Sequence, residues 1–484
     1  MIRYATKSYV ITLRMYPNKN DLVVLNHRFN VVHHVTNVMV KHAQKCVKQL
    51  ERDKTYNNLR YNYKTLSTNE KKELNDIRQK YGLSEFQFHD YIMKQKYMYN
   101  THLDINTVQK IATKVWSATS KCLFNSDNYI RFKKNKDIKS FESKTNLSGI
   151  RYKDGFIFHN GLKIKTTYLK KDEYVKYALN NDRIKYCRIK RKWHKHNYRY
   201  YVDLVMEGNP PTWQACGQGT VGIDIGPSTI AVVNDNQCLF EPLAQNVTNI
   251  EQDIARLQRK LDRQRRTNNP DKYNDDGTIK KGSKHWKASN KQKLTQDKIK
   301  MLYQKRANQL RQDHINLANR ILKLGDNIIA EDMDWAALAK KAKKTEKNDK
   351  GRYKKKKRLG KSIANHAPSM LINIIDQKLS YMNKKVHKVD CFKTAASKYN
   401  HLTGKLMNIT IDDRIIKIGN YSIQRDLHAA FNLQHIIING YNYTYDVNLM
   451  NKNFSNFITN HNNCIETLRQ NKKAGHKYPT CIGI

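Results

Sequence analysis

The sequence has few acidic residues, no paired cysteines and no long apolar run, and each deficit excludes a class of protein. Its 42 Asp and Glu residues face 90 Lys and Arg residues, which gives a formal net charge of +48. No apolar run reaches the roughly 18–20 residues of a membrane-spanning helix, and no signal-peptide pattern opens the chain. We therefore expect an intracellular protein without a membrane partner.

The eight cysteines are scattered singly over 484 residues, with no CxxC pair. This spacing favours reduced, mostly structural thiols and predicts neither a disulfide framework nor a zinc site. The length predicts more than one domain, roughly three to four by the usual domain size. A hydrophobic share of 39% permits real cores but leaves much polar surface.

The excess of positive charge points to a polyanionic partner. A compact chain with this charge repels itself strongly unless a counter-charge is bound. Nucleic acid supplies that charge. A basic protein that merely sticks to phosphate would explain the charge, but not the acidic residues described next.

Three acidic residues, far apart in sequence, each stand at the edge of an apolar segment. Asp224 lies in residues 221–233, VGIDIGPSTIAVV, which predict a strand, a tight turn and a partner strand. Glu331 ends a short apolar run, 328–331, typical of a central strand. Asp426 opens a segment with helical apolar spacing, where the helix dipole favours negative charge.

Three carboxylates are about what a site for phosphodiester cleavage needs. Hard divalent cations prefer carboxylate oxygens, and Mg²⁺ binds through a few of them together with substrate phosphate. Two ions roughly 3.5–4 Å apart can activate the attacking water and stabilise the leaving oxygen. Each acid taken alone is as well explained as a solvated strand or helix end. Their joint order favours a split metal site of Asp224, Glu331 and Asp426.

The three motifs, residues 222–226 (GIDIG), 329–333 (IAEDM) and 425–430 (RDLHAA), resemble those of the TnpB transposon-associated nucleases and type V CRISPR effectors. The resemblance implies an α+β multidomain protein. Its parts would be an RNase H-like (RuvC) nuclease domain split by helical insertions, an antiparallel β-barrel wedge domain and a helical recognition lobe. It also implies that Asp224, Glu331 and Asp426 are catalytic and ligate Mg²⁺, with Mn²⁺ as a substitute.

Two features depart from the family pattern. Family members carry a four-cysteine zinc ribbon between the second and third acidic motifs, whereas that interval here holds only Cys391. We expect no zinc, and a metal-free remnant at 391–424. The residue two before the third acid is commonly Asp in the family and is Gln424 here, which we expect to weaken an auxiliary contact only.

The chain is predicted to be organised as follows. Residues 1–20 and 127–210 form the wedge barrel, with β-like runs at 129–133, 155–159, 186–190 and 198–205, and residues 21–126 form the helical recognition domain, interrupted by a polar stretch at 53–72. Pro210 and Pro211 mark a boundary. Residues 218–390 hold the first two nuclease motifs and a helical pair at 248–324, residues 425–450 hold the third, and 451–484 form an Asn-rich tail.

The helical pair and the segment that follows Glu331 carry many cations. The row of cations along the helical pair either faces solvent or lines a groove for nucleic acid, and the total charge favours the groove. The segment 340–358 is dense in Lys and Arg and either guides single-stranded substrate or only adds solubility. The candidate nucleic-acid contacts are Arg256, Arg259, Lys260, Arg263, Lys298, Lys305, Arg306, Lys354, Lys355 and Lys356.

The resemblance implies an RNA-guided DNA endonuclease of the prokaryotic cytoplasm or nucleoid. Its partners would be a guide RNA, like the transposon-encoded RNAs or a crRNA, and double-stranded target DNA. A compact type V CRISPR effector, a guided DNA-binding repressor without cleavage, and an unguided RNase H-like transposase or junction resolvase remain alternatives. The oligomeric state, monomer or dimer, stays open.

Overall fold

The computed structural model describes residues 6–63, 65–124, 129–194, 197–211, 215–282, 285–340, 359–410, 412–440, 442–476, 478–479 and 482–483. The chain divides into two compact units, Met1–Pro211 and Thr212–Ile484. The division falls directly after Pro210 and Pro211, where the sequence predicts a boundary. The basic segment at 341–358, with Lys354, Lys355 and Lys356, lies outside the described residues.

The first unit combines a sheet with a group of helices. Its helices are α1 (Lys19–Leu50), α2 (Lys54–Tyr61), α3 (Thr68–Lys80), α4 (Glu85–Met93), α5 (Ile105–Phe124) and α6 (Glu173–Asn181). Its strands are β1 (Ser8–Met15), β2 (Ser140–Glu142), β3 (Arg151–Lys153), β4 (Phe156–His159), β5 (Leu162–Thr167), β6 (Ile184–His194) and β7 (Asn197–Glu207). Short 3-10 helices lie at Lys96–Met98 and Asn135–Asp137.

The strands of this unit form one curled, antiparallel half-barrel. Their order across the seven-stranded sheet is β2-β6-β7-β1-β5-β4-β3. The first strand belongs to this sheet, as predicted, and lies in its middle, because β1 pairs with β7 from Ser8 to Arg14 and with β5 at Arg14 and Met15. Within the described residues β2 and β3 do not pair, so the sheet is open where a closed barrel was predicted.

The run at 129–133, predicted as a strand, has no strand partner in the structure. It lies along α1, whose polar side chains bind its carbonyl oxygens. Gln44 donates to the Ile130 oxygen at 2.6 Å, and Asn37 donates to the Lys133 oxygen at 3.0 Å. These bonds satisfy backbone groups that a sheet would otherwise take. The other predicted β-like runs lie within β4, β6 and β7.

Polar residues of the first unit cap helices that the sequence analysis did not predict. The stretch at 53–72, predicted as an interruption, contains α2 and the start of α3. Asp53 accepts from the Tyr56 amide at 2.9 Å, and Ser67 and Glu70 form a capping box. Such caps stabilise a helix start by about 1 kcal/mol.

The second unit is built around a five-stranded sheet. Its strands are β8 (Thr220–Ile225), β9 (Thr229–Val233), β10 (Cys238–Pro242), β11 (Asn327–Glu331), β12 (His387–Val389), β13 (Tyr399–Asn400), β14 (Lys405–Leu406), β15 (Ile415–Ile418), β16 (Tyr421–Gln424), β17 (Ile436–Asn439) and β18 (Asn442–Tyr445). Its helices are α7 (Thr248–Asn268), α8 (Asn290–Leu324), α9 (Trp335–Ala339), α10 (Gly360–His366), α11 (Pro368–Ser380), α12 (Cys391–Thr394), α13 (Arg425–Gln434) and α14 (Val447–Lys473). Short 3-10 helices lie at Gln245–Val247 and Pro270–Lys272.

The order of the main sheet is β10-β9-β8-β11-β12. β8, β9 and β10 are antiparallel neighbours, whereas β8, β11 and β12 run parallel. One face packs on α8 and α11 through Ile223, Ala330 and other aliphatic residues. The opposite face packs on α13 and α14 through Ala231 and Val233. The two faces therefore carry separate cores.

The C-terminal segment of this unit differs from the sequence prediction. Residues 451–473, predicted as a tail, form most of α14, which buries Met450, Phe454 and Phe457 against the sheet. The stretch 391–424 consists of α12 and the hairpins β13–β14 and β15–β16. Cysteines within the described ranges are free thiols. None of the helices in these ranges is both long and apolar enough to cross a bilayer.

Candidate nuclease site

Asp224 lies near the end of β8, on the sheet face that α13 covers. The β8–β9 hairpin closes through Gly226, whose amide donates to the Thr229 oxygen at 2.9 Å, as the predicted turn requires. In the antiparallel register Asp224 lies opposite Ala231. Paired residues share a face of the sheet, and Ala231 belongs to the core beneath α13. The Asp224 carboxylate is therefore directed to that side.

Glu331 is the last residue of β11, an interior strand that runs parallel to β8. Ala330 pairs with Ile223, so Glu331 comes beside Asp224 one residue further along. Neighbouring strands lie about 4.8 Å apart, which brings the two side chains together on one face. Ile223 and Ala330 point into the other core. The alternation of side chains along both strands thus sends the two acids to the α13 side.

Asp426 lies in the first turn of α13, and the packing of α13 on β8 brings it to the same place. Gly222 permits this contact, because a Cβ atom there would lie 1.9 Å from the Ala430 carbonyl oxygen. Gln424 caps the helix: its side-chain oxygen accepts from the Leu427 amide at 2.9 Å. The residue that departs from the family pattern therefore has a structural role here.

The pKa values of Asp224 and Glu331 are both raised. Burial raises the pKa of Asp224 well above its ordinary value, and the charges of Asp426 and Glu331 raise it further. Arg425 acts in the opposite direction. Burial raises the pKa of Glu331 to about 7. Carboxylates held together without a cation are costly, so this corner of the unit favours a bound positive charge.

Arg425 supplies one positive charge in the structure. Its guanidinium donates to Asp426 Oδ1 at 3.0 Å and to the Thr410 carbonyl oxygen at 3.1 Å. It also lines a cavity of about 300 Å³ together with Ser397, Lys398, Ile409 and Thr410. Two cations and two hydroxyl groups border this cavity, a combination suited to a phosphate group.

The donor set fits Mg²⁺ in chemical type, because three carboxylates offer the hard oxygen ligands that this ion prefers. In the described ranges, however, no three His, Cys, Asp or Glu side chains stand in an arrangement that would hold an ion. Asp426 is instead engaged by Arg425. The strand register sets Asp224 beside Glu331, and Asp426 would have to leave Arg425 to complete the predicted ligand set.

Tyr445 and Cys391 lie near Glu331, and the sequence did not connect either of them with the acids. The charge of Glu331 contributes to a raised pKa at both, after the larger effect of burial. Tyr445 stacks on Tyr399 with ring centroids 4.0 Å apart and donates to the Thr394 oxygen at 2.8 Å. Both residues are distant from Glu331 in sequence, so no local pattern connects them to it. Arg425 could have been identified from the sequence, because it directly precedes Asp426.

The predicted nucleic-acid contacts on α7 and α8 fall into two groups. Arg256, Arg259, Lys260 and Arg263 on α7, and Lys298 and Lys305 on α8, are exposed. Arg306 is half-buried instead. It donates to Asn365 at 3.0 Å and lies 3.9 Å from Glu251. That arginine holds helices together, whereas the exposed row is available to a ligand.

A comparison with protein families finds one match, over the segment that contains the first two acidic motifs. Residues 203–342 match the model of the OrfB_IS605 family, described as a probable transposase. This segment contains Asp224 and Glu331 and ends before Asp426. The match supports the predicted resemblance to transposon-associated proteins over this segment. No curated protein sequence matches the chain.

The solved structures that are similar to the chain include two complexes. The cryo-EM structure of a Cas12f1–sgRNA–target DNA complex is 12% identical with a TM-score of 0.47, and the match covers 89% of this chain and 99% of that one. The cryo-EM structure of a CRISPR–Cas12f ternary complex is 13% identical with a TM-score of 0.27, covering 88% and 98%.

Proposed function

We propose that the protein is an RNA-guided DNA endonuclease of the TnpB-like kind, which hydrolyses phosphodiester bonds at Asp224, Glu331 and Asp426. The observation that carries the proposal is the convergence of these acids, from a hairpin strand, a parallel strand and a helix start, on one face of the sheet. The match to a probable transposase over residues 203–342 supports it. The charge of +48 supports a nucleic-acid partner.

The proposed chemistry is metal-dependent hydrolysis. Mg²⁺, or Mn²⁺ in its place, would be held by Asp224, Glu331 and Asp426, and would stabilise the charge that develops on the phosphate. Asp224 and Glu331 are fixed by strand pairing, so their positions are set before substrate arrives. Only Asp426 must change partner, because Arg425 holds it now.

A substrate phosphate would provide that change of partner. The cavity beside Arg425 also contains Lys398, Ser397 and Thr410. A phosphate bound there attracts the guanidinium with bidentate geometry, which carboxylate and phosphate share. Arg425 would then orient the phosphate while Asp426 turns to the other two acids. Site assembly would thus depend on substrate, which restrains cleavage when no DNA is bound.

The test is to express the protein with its locus, sequence the RNA that copurifies, and assay Mg²⁺-dependent cleavage of DNA matching that RNA. Asp224→Ala is the inactive variant, and Asp334→Ala is a matched control, because that exposed acid caps α9. A discrete RNA and cleavage lost in Asp224→Ala alone support the proposal.

Other outcomes select the alternatives. A discrete RNA without cleavage by either protein indicates a guided DNA-binding repressor. Cleavage without a discrete RNA indicates an unguided transposase or resolvase. An RNA made from repeats, instead of a transposon end, identifies a CRISPR effector with a crRNA. Zinc in the purified protein, measured by atomic emission, would contradict the expected metal-free insertion at 391–424.

A further inference from the structure

An exposed phenylalanine stands close to the acidic residues of the second unit. Phe392 lies in α12 and is 92% exposed, more than any other large apolar residue that the structure describes. Single exposed apolar side chains are common on protein surfaces and need no function. The place of this ring in the fold, and the contacts that hold its backbone, are what distinguish it.

Strand pairing places Phe392 near Glu331. β12 runs parallel to β11, with Val389 opposite Glu331. Phe392 follows Val389 by three residues, so their Cα atoms are at most about 11 Å apart. The thiol of Cys391, the residue before Phe392, is close enough to Glu331 for the carboxylate charge to raise its pKa, after the larger effect of burial. The ring therefore lies at the carboxyl end of these parallel strands, beside the acids.

Contacts at both ends fix the backbone of α12. The Asp390 carboxylate accepts from the Phe392 amide at 2.8 Å and from the Lys393 amide at 3.3 Å. At the other end, the Tyr445 hydroxyl donates to the carbonyl oxygen of Thr394, a buried residue, at 2.8 Å. A ring on a backbone that is already fixed loses little conformational entropy when a ligand covers it. Phe392 is thus held in water in a form ready to bind.

Basic residues accompany the ring. Lys393 follows Phe392 directly and is exposed. Lys398 is exposed as well, and it lines the cavity of Arg425 beside Asp426. The acids therefore have cations that suit phosphate groups and one ring that suits the flat face of a base. A nucleic-acid strand with unpaired bases carries both groups, whereas the bases of a duplex are already stacked on each other.

We infer that Phe392 is a positioning residue for the cleavage reaction: its ring stacks on one base of the unpaired DNA strand and so decides which phosphate reaches the three acids. The stacked base belongs to a nucleotide near the scissile phosphate, because Phe392 lies so close to Glu331. Every base has a face that can stack, so the ring sets the position of the cut without reading the sequence. The inference rests on the proposed function and goes beyond it in assigning what determines the cut position.

The first measurement does not depend on cleavage. The full-length protein is given DNA that matches its copurifying RNA, or a single-stranded oligonucleotide if no RNA copurifies, in Ca²⁺ instead of Mg²⁺ so that the strand is bound but not cut. The unpaired strand carries 2-aminopurine at one position at a time, and stacking on a ring quenches its fluorescence. Quenching should occur at one or two positions, disappear in Phe392→Ala and persist in Phe392→Tyr. Phe86→Ala, which removes a ring that is 80% exposed on α4, should leave it unchanged. Quenching that survives Phe392→Ala, or that occurs at no position in the wild type, overturns the inference.

The second measurement maps the cuts made in Mg²⁺. Phe392→Ala should spread the cuts over neighbouring phosphates and slow cleavage about 10-fold to 100-fold. An abasic site at the quenched position should do the same to the wild type and add nothing in the variant, whereas losses through misfolding would add to it and leave the cut positions unchanged. Cleavage by Phe392→Ala at wild-type positions and rate contradicts the inference but not the nuclease proposal. Ring-dependent quenching without cleavage by the wild type contradicts the nuclease proposal and supports the stacking.

Discussion

Replacing Glu331 by glutamine should make the metal-free protein more stable at neutral pH while abolishing cleavage. Glu331 is half-buried at the end of β11, beside Asp224, and burial raises its pKa from 4.5 to about 7. That difference corresponds to about 3 kcal/mol of unfavourable ionisation. Since the proton is shared among coupled carboxylates, we expect a gain of about 1–3 kcal/mol from the substitution.

The raised pKa of Glu331 fixes the direction in which stability changes with pH. An acid whose pKa is higher in the folded protein releases its proton first in the unfolded chain, so wild-type stability falls as pH rises from about 4.5 to about 7. The glutamine side chain of the variant cannot ionise. The gain should therefore be absent at pH 4, grow to about pH 7 and stay constant above. Saturating Mg²⁺ should reverse the order, because only the wild type keeps the complete ligand set.

The assay is urea unfolding at a series of pH values in EDTA, with hydrogen exchange of the β8 and β11 amides to report on this sheet alone. Asp332→Asn is the matched control, because that neighbouring acid has a side chain 65% exposed. It should change stability by less than about 0.5 kcal/mol. A Glu331→Gln variant no more stable than wild type at pH 8, or equally stabilised at pH 4, would refute the buried acid cluster.

Three further outcomes are expected. Gly222→Ala should lower the free energy of unfolding in urea by about 3 kcal/mol or more, because the added Cβ would clash with the Ala430 carbonyl oxygen. An unchanged urea midpoint would contradict the packing of α13 against β8. His401 is buried with both ring nitrogens unpartnered in the described structure and its pKa lowered to about 4, so stability should fall between about pH 6.5 and 4, and His401→Phe should reduce that fall. Arg425→Met should slow cleavage about 100-fold and raise KM, while Lys417→Met on the exposed side of β15 should do neither.

The elements that carry the three acids could be anticipated because each acid stands at the edge of a segment with a clear local pattern. The hairpin around residues 224–231, the apolar strand before Glu331 and the helix after Asp426 are all present as predicted. What the sequence could not supply is the strand order. Parallel pairing of β8 with β11 joins residues about a hundred positions apart, and only that pairing sets the acids side by side.

The sequence predictions that differ from the structure also have physical causes. Residues 129–133 have strand-like composition, but α1 side chains such as Asn37 and Gln44 take their backbone groups. The Asn-rich segment after Asn451 forms a helix because Phe454, Phe457 and Ile465 recur at helical spacing on one face, and the many asparagines occupy the other. The high asparagine content drew attention away from the helical spacing of the apolar residues. Arg425 was overlooked because an arginine beside an acid is usually a surface ion pair.

The central claim is that Asp224, Glu331 and Asp426 form one metal site. Its most direct test is a titration of the purified protein with Mn²⁺, read by electron paramagnetic resonance, in wild type and in Asp224→Asn, Glu331→Gln and Asp426→Asn. The account predicts saturable Mn²⁺ binding, with the highest occupancy when DNA is present. Each of the three substitutions should raise the Kd for Mn²⁺ at least tenfold. Mn²⁺ binding that survives any one of them unchanged would contradict it.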